Sequence, residues 1–202
     1  GAKVTFSTIL GNDPRKDFVI SGLKDSGVQT LPIIDPHRPT TRKNAIISGG
    51  YRLLKIDTLD NRPISDDILE KLIEMVQQTT ANAVVFSDFR HGIFNRMSVQ
   101  TLTQAIPQGA FQVADSQVAS RWGNITEFKG FDLITPNERE ARFALGDQDS
   151  TLGHLASMLN EAADYQNLII KLGDRGIFCV DQNMDVKNSY FSIDSFASNI
   201  VD

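Results

Sequence analysis

Runs of apolar, β-branched residues alternate with stretches of helical pattern along most of this 202-residue chain, and that alternation limits the fold more than any other feature. The runs "AVVFS", "FQVAD", "DLIT" and "NLIIKLG" are typical of buried strands. Helices are predicted between them, near residues 97–106, 138–145 and 151–164. The chain therefore predicts an α/β fold, in which helices cover both faces of a mostly parallel sheet.

The two ends of the chain add further elements to this pattern. "KVTFSTILG" predicts a strand, and the helix after it has Asp13 as a possible cap and Gly27 just beyond its end. Three apolar residues are predicted to line one face of that helix: Phe18, Val19 and Leu23. Ser150 is predicted to cap the helix at 151–164. "RGIFCVD" and "DVKNSYFSI" predict a hairpin-like pair.

Residues 28–62 interrupt the alternation. They contain three short strand-like runs, separated by Pro and Gly and without helical period, which predicts an inserted β-meander. We interpret residues 31–58 as a small β lid and residues 1–30 with 59–202 as the α/β core. A basic group lies in the insert: Arg42, Lys43, Arg52 and Lys55. Its side chains indicate either a solvated face or a site for an anionic substrate.

The composition excludes several classes of protein. A net charge of −5 argues against a nucleic-acid-binding surface, which would usually be basic. Cys179 is the only cysteine, so an internal disulfide and a cysteine-clustered zinc site are excluded. No apolar run reaches about 18 residues, so we predict no membrane partner and expect a cytoplasmic protein. Because the chain opens directly into a strand-like run without Met, we expect a trimmed chain or a fragment.

Polar side chains follow the ends of four predicted strands. The four clusters are Asn12-Asp13, Ser87-Asp88, Asp115 and Asn137-x-x-Glu140. In doubly wound folds the ligand binds at the carboxyl ends of the strands, so these clusters predict a binding site at one edge of the sheet.

Two of the polar motifs have a structural and a functional interpretation each. The spacing of Asn137 and Glu140 is that of a capping box, but a helix start can also bind an anion and a carboxylate there can hold Mg²⁺ through water. Lys171 begins the run K-L-G-D-R-G, in which Gly173 and Gly176 permit either a plain hairpin turn or a close approach of the backbone to a nucleotide.

The order of the motifs resembles that of a known family. The chain runs through "TILGND", "GGYRLLKID", "VVFSDFRHGIF", "FQVADSQ", "LITPNEREA" and "IIKLGDRGIFCV". This order is similar to that of the ribokinase-like (PfkB) carbohydrate kinases, and the resemblance extends over nearly all 202 residues. Within the family the chain resembles in particular the heptose 7-phosphate kinase domain of bifunctional ADP-heptose synthases.

The resemblance implies a nucleotide site. Asn137 and Glu140 match the N-x-x-E motif, which in the family positions Mg²⁺ and the phosphates of ATP. Gly173 and Gly176 match the glycines of the nucleotide loop, and Lys171 lies next to them. The family therefore implies Mg²⁺ at Glu140. It implies that the co-substrate ATP binds at the other four residues: Asn137, Lys171, Gly173 and Gly176.

The resemblance also implies an acceptor site and a role for the insert. Asp13 and Asp88 match positions on the sugar side of the cleft, and we add Arg42, Arg52 and His91 as candidates for contact with a sugar or sugar phosphate. The lid of the family closes on the sugar and often serves as a dimer clasp, which implies a possible homodimer.

This chain departs from the family pattern in several places. His91 and Gln117 stand where heptose kinases usually have lysines. The sugar-binding Gly-Gly…Asn motif is expected before residue 1, and the segment with the catalytic Asp is expected after Asp202. The resemblance thus implies the core of an ATP-dependent sugar kinase, inactive without that Asp. The alternative is an inactive, kinase-like module that binds a ligand or dimerises within a larger protein.

Overall fold

The computed structural model describes residues 1–117, 125–184 and 189–196 and contains two compact units, Gly1–Met75 and Val76–Asp202. The first unit contains, in order, β1 (Thr5–Gly11), α1 (Arg15–Asp25), β2 (Gln29–Asp35), β3 (Arg42–Ser48), β4 (Tyr51–Thr58) and the start of α2 (Asp66–Gln77). Among the described residues, the helices are all too short or too polar to cross a bilayer.

In the first unit, β1 and β2 form a parallel pair. The register runs from Thr5 opposite Gln29 to Gly11 opposite Asp35, and α1 provides the crossover that a parallel pair requires. The prediction of a three-stranded meander was therefore wrong, because its first run is β2. The sequence pattern of a strand is local, so it predicts that a strand forms but not which other strand it pairs with. The extent of the lid, 31–58, stays a prediction.

The helix α1 differs from its prediction in one respect. Phe18 is 82% exposed and no residue of α1 is buried, whereas Val19 and Leu23 are half-buried. Residues four apart lie on the same side of a helix, so Val19 and Leu23 share a face, and Phe18 is displaced from it.

The remaining strands of this unit, β3 and β4, form an antiparallel hairpin. Gly49 and Gly50 join them with φ of 57° and 82°, the conformation of a two-residue turn that glycine adopts without strain. Every residue of β4 is exposed.

The second unit contains the main sheet. Its elements are β5 (Ala83–Asp88), α3 (Arg96–Ala105), β6 (Phe111–Ser116), β7 (Leu133–Ile134), α4 (Glu138–Leu145), α5 (Leu152–Ala163), β8 (Asn167–Lys171), β9 (Ile177–Asp181) and β10 (Tyr190–Ile193), with 3₁₀ turns at Ile125–Glu127 and Gly173–Arg175. The strand order is β10-β9-β8-β7-β6-β5, with β5 to β8 parallel and β9 and β10 antiparallel. The predicted mostly parallel α/β sheet is confirmed.

The core of this unit combines aromatic and aliphatic side chains. Phe86, Phe128 and Phe131 pack edge to face or tilted, with ring centroids 5.6–6.4 Å apart. Residues from the strands and α5 complete the core: Ile134, Leu155, Leu159, Leu168 and Ile170, each fully buried. This packing fixes the carboxyl ends of the parallel strands, where the candidate site lies.

The cap of α5 is displaced by one residue from its prediction. The side chain of Thr151 accepts a hydrogen bond from the backbone N–H of His154, at 3.3 Å. Ser150 does not cap the helix; its hydroxyl donates to the carboxylate of Asp147. Both residue types can cap, so the sequence alone does not choose between neighbours.

Candidate active site

Three of the four polar clusters lie at one edge of the six-stranded sheet. Asp88 is the last residue of β5, Asp115 is the penultimate residue of β6, and Asn137 follows β7. These strands are parallel neighbours, so their carboxyl ends face the same way and bring the three residues to one edge. Asp13 lies in the other unit, two residues after the end of β1.

Asn137 and Glu140 form a reciprocal capping box at the start of α4. The Asn137 side chain accepts from the N–H of Glu140, and the Glu140 carboxylate accepts from the N–H of Asn137, both at 2.7 Å. Gly146, with φ of 67°, ends the helix. The structural interpretation of the motif is thus confirmed. It does not exclude the functional one, because a carboxylate has two oxygens and about four lone-pair sites.

Lys171 lies beside this helix start. Its backbone N–H donates to the carbonyl of Pro136 at 2.9 Å, and its ammonium donates to Asp115 at 2.7 Å. Thr135 donates to the same carboxylate oxygen at 3.0 Å. Lys171 is 44% exposed and Asp115 35% exposed, and such pairs contribute about 0–1 kcal/mol. An anion can therefore compete with Asp115 for Lys171 at little cost.

The two glycines of the loop between β8 and β9 have different surroundings. Gly176 has φ of 87°, and a Cβ there would lie 2.0 Å from the carbonyl oxygen of Ile193, so packing against β10 requires glycine. Gly173 has φ of 65°, but a Cβ there would meet no atom of the described residues within 4 Å. The loop is a hairpin turn, and of its two glycines Gly173 has open space beside it.

An ion network that the sequence did not reveal joins this loop to α4. Glu138 accepts hydrogen bonds from Arg142, at 2.8 and 3.0 Å, and from Arg175 of the glycine loop. Arg142 also binds Asp147. Partial burial would raise the pKa of Glu138, but the hydrogen bonds from the two arginines outweigh it and hold that pKa below its usual value. The i, i+4 spacing of Glu138 and Arg142 is the only sequence signal for this network.

An open groove of about 590 Å³ runs along the start of α4. Its lining includes Asn137, Glu138, Arg139, Arg142, Lys171 and Leu172. Glu138 and Asp147 also line the groove and are paired with Arg142, so the backbone N–H groups of the helix start together with Arg139 and Lys171 are what suits a phosphate-bearing ligand.

Asp88 is enclosed by its neighbours. One of its oxygens accepts from the N–H of Arg90 at 2.7 Å, and the other accepts from the guanidinium of Arg90 at 2.8 Å and from the hydroxyl of Ser116 at 3.0 Å. The side chain is 1% exposed. Arg90, which has φ of 60° and also lies 3.4 Å from Glu127, was not a candidate from the sequence. His91 is half-buried, with its ring 6.3 Å from that of Phe89.

The candidate residues of the first unit do not cluster. Asp13 accepts from the N–H groups of Thr40 and Arg15 at 2.8 and 2.9 Å, and the bond from Thr40 holds the pKa of Asp13 below its usual value. Arg42 is opposite Thr58, six residues along β4 from Arg52, so the two arginines lie roughly 20 Å apart at opposite ends of the hairpin.

A known family matches this chain over its whole length. The profile described as "pfkB family carbohydrate kinase" matches residues 1–202. The chain belongs to the pfkB family of carbohydrate kinases. This result confirms the resemblance in motif order, and it accounts for a parallel sheet with polar residues at the carboxyl ends of its strands.

Curated members of the family are similar over part of their length. The chain is 26% identical over 187 residues to the bifunctional protein HldE of Trichlorobacter lovleyi, covering 89% of this chain and 38% of that protein. It is 27% identical over 193 residues to HldE of Bradyrhizobium sp., covering 92% and 39%. The chain thus spans about two fifths of these pfkB relatives.

Solved structures of a ribokinase and a phosphofructokinase have the same fold. Ribokinase from Giardia lamblia aligns with a TM-score of 0.73 at 15% identity, over 97% of this chain and 60% of that one. Phosphofructokinase-2 from Escherichia coli in complex with potassium aligns with a TM-score of 0.75 at 15% identity, over 98% and 63%. The ribokinase-like fold is therefore confirmed.

Within the described residues, His, Cys, Asp and Glu side chains do not gather in groups of three that could hold a metal ion. Mg²⁺ in kinases is usually bound by one or two carboxylates together with substrate phosphates and waters. Of the two carboxylates in the first turn of α4, Glu138 is bound by Arg142 and Arg175, so Glu140 is the one that fits a magnesium ion arriving with a nucleotide.

Proposed function

We propose that this chain is the core of a cytoplasmic carbohydrate kinase that transfers a phosphoryl group from Mg-ATP to a hydroxyl group of a sugar or sugar phosphate. The observation that carries the proposal is the juxtaposition, at one edge of the sheet, of the capped start of α4 and the ammonium of Lys171. Membership of the pfkB family supports the same activity.

The residues of the α4 groove have distinct roles in this proposal. Asn137 fixes the helix start, whose N–H groups and positive dipole end bind the phosphates of ATP. The ammonium of Lys171 releases the carboxylate of Asp115 and donates its hydrogen bond to a phosphate oxygen instead. Glu140 holds Mg²⁺, which neutralises charge on the phosphates when it is bound. Gly173 leaves open space in which the backbone can approach the nucleotide.

The acceptor is proposed to resemble a heptose phosphate, because the motif order is similar to that of heptose 7-phosphate kinases. Asp13, Asp88, His91 and either Arg42 or Arg52 stay candidates for its binding, since the two arginines lie roughly 20 Å apart and one sugar phosphate does not reach both within a single chain. Asp88 is the weakest of them, since its carboxylate is already bound by Arg90 and Ser116. We assign no catalytic base within this chain.

The test is ADP production by the full-length protein that contains this chain, over a panel of sugars and sugar phosphates. We expect Mg²⁺-dependent turnover with a phosphorylated sugar. Glu140→Gln keeps an acceptor for the N–H of Asn137 and removes only the charge. We therefore expect it to lower kcat by on the order of a hundredfold without changing the thermal midpoint.

Glu140→Ala separates the two roles of this carboxylate. It removes both the charge and the acceptor for the N–H of Asn137, while Asn137 still caps the helix, so it should lower kcat as Glu140→Gln does and also destabilise the fold by about 1 kcal/mol. If the wild-type protein produced no ADP with any acceptor, the proposed activity would be wrong. If Glu140→Gln were fully active, the magnesium role of Glu140 would be wrong.

A second candidate function is a kinase-like module that binds a sugar phosphate without transferring phosphate. The enclosed carboxylate of Asp88 favours it, as do His91 and Gln117 at positions where lysine is usual. Calorimetry decides between the two candidates: sugar-phosphate binding without any ATP binding would favour the module, and Mg²⁺-dependent ATP binding that Glu140→Gln weakens would favour the kinase.

We propose in addition that two copies of the chain pair through the hairpin β3–β4. Four apolar side chains of the hairpin are more than half-exposed: Ile47, Tyr51, Leu53 and Leu54. A two-stranded hairpin with exposed edges and apolar faces is stabilised when a partner covers it.

A further inference from the structure

A dense set of hydrogen bonds lies at the base of the hairpin, where the chain enters it and leaves it. The entering connection, residues 36–41, follows β2, and the leaving connection, residues 59–65, follows β4. Whatever holds these two connections together at the end of the β1–β2 pair decides the direction in which the hairpin projects.

Asp35 and Arg38 hold the first connection and reach the second. Asp35 accepts from the N–H of His37 and from the Nε of Arg38, each at 2.9 Å. Arg38 extends Nη2 to the carbonyl of Arg62 at 3.3 Å, which joins the leaving connection to the entering one. The Arg38 and Asp35 side chains are 9% and 8% exposed, so this pair is shielded from water, unlike the surface pairs of the hairpin.

Thr40 ties the same connection to the end of β1. Its hydroxyl accepts from the N–H of Gly11 at 3.0 Å, and its N–H donates to Asp13 at 2.8 Å. A Cβ on Gly11 would lie 2.5 Å from the carbonyl oxygen of Arg38, so glycine allows the two backbones to approach. Thr40 is 2% exposed. The connection is thus bound on one side to β2 and on the other to β1.

We propose that Arg38 is a positioning residue that sets the direction of the hairpin β3–β4 by bridging Asp35 and the Arg62 carbonyl. A guanidinium offers donors in a fixed fork, and here it spans a carboxylate and a carbonyl on two different connections. An ammonium is a single point charge and does not reproduce that span. In the proposed kinase, the direction of the hairpin would act on binding of the acceptor sugar and not on binding of ATP; this part rests on the proposed function.

The bond pattern provides a matched control. The side chain of Arg62 is 75% exposed and binds Asp60. The contact of Arg38 with Arg62 is to the backbone carbonyl, which does not depend on the Arg62 side chain. Arg62→Met removes one guanidinium from the same base and leaves the bridge of Arg38 intact. Arg38→Met removes the bridge. The double variant Asp35→Asn/Arg38→Met removes it without leaving a buried, unpaired carboxylate.

The first experiment measures the distance between spin labels at Lys24→Cys and Ser48→Cys in the full-length protein, with Cys179→Ser, after dilution into an excess of unlabelled protein so that only distances within one chain are measured. Both label positions are exposed, one at the end of α1 and the other at the tip of the hairpin. We expect one narrow distance distribution in the wild type and in Arg62→Met, and a broad one in Arg38→Met, Arg38→Lys and the double variant. A narrow, unshifted distribution in the double variant would overturn the inference.

The second experiment measures steady-state kinetics of the same proteins. Loss of a charged hydrogen bond predicts that the KM for the acceptor rises about tenfold in Arg38→Met and Arg38→Lys, with the KM for ATP unchanged. Equal changes in both KM values, or none, would overturn the link to the acceptor. If the wild-type protein has no kinase activity, the proposed function fails, and the label distances still decide whether Arg38 positions the hairpin.

Discussion

At the residue scale, Gly173 and Gly176 both have a positive φ but differ in the space that their surroundings leave for a side chain. Gly173→Ala would meet only the strain of φ 65°, because its surroundings are open, so we expect a loss of about 1 kcal/mol in the free energy of unfolding. Gly176→Ala would add a clash with the carbonyl of Ile193 to a φ of 87°, so we expect a loss of at least about 3 kcal/mol. Urea denaturation of both variants measures the difference, and equal losses would contradict the packing of Gly176 against β10.

Residues also differ in how far the sequence could predict their roles. The Asn137–Glu140 capping box follows from a spacing of three within one helix start, and the structure contains both bonds. Arg90 could not be found in this way. Its role depends on a φ of 60° that turns the guanidinium back onto Asp88, and an arginine gives no sequence signal for that conformation.

At the element scale, local patterns located the helices and strands but not the partner of each strand. The run at β2 has the composition of a strand, and only the crossover through α1 makes it a parallel neighbour of β1. Likewise, the start of α5 lies within one residue of its prediction, but its cap is Thr151 and not the predicted Ser150, since both residue types are good caps. Pairing and capping depend on three-dimensional contacts that periodicity does not encode.

The cap of α5 gives a prediction at this scale. Thr151→Ala should lower the free energy of unfolding by about 1 kcal/mol, because the N–H of His154 loses its acceptor. Amide exchange at His154 should become faster in this variant. Ser150→Ala is the matched control: it removes a bond to Asp147 but leaves the cap, so exchange at His154 should stay slow. Faster exchange in Ser150→Ala alone would show that the cap is misassigned.

At the scale of the whole molecule, the exposed hairpin predicts the oligomeric state. Leu54 is opposite Ile46 in the register, so the two share one face, whereas Ile47 follows Ile46 on β3 and faces the other way. Leu54 is 51% exposed, so Leu54→Lys should leave the chain folded and weaken a dimer that buries this face. A lysine left under an apolar interface predicts an increase in the dissociation constant of about a hundredfold or more.

Sedimentation velocity over a concentration series measures this change, with Ile47→Lys, at a 65% exposed position, as the control on the opposite face. We expect dimers for the wild type and for Ile47→Lys, and monomers for Leu54→Lys at the same concentration. Monomers in all three proteins would contradict pairing through the hairpin. Equal weakening by both substitutions would mean that the partner encloses both faces, because only a partner that covers a single face distinguishes side chains on opposite faces of the hairpin.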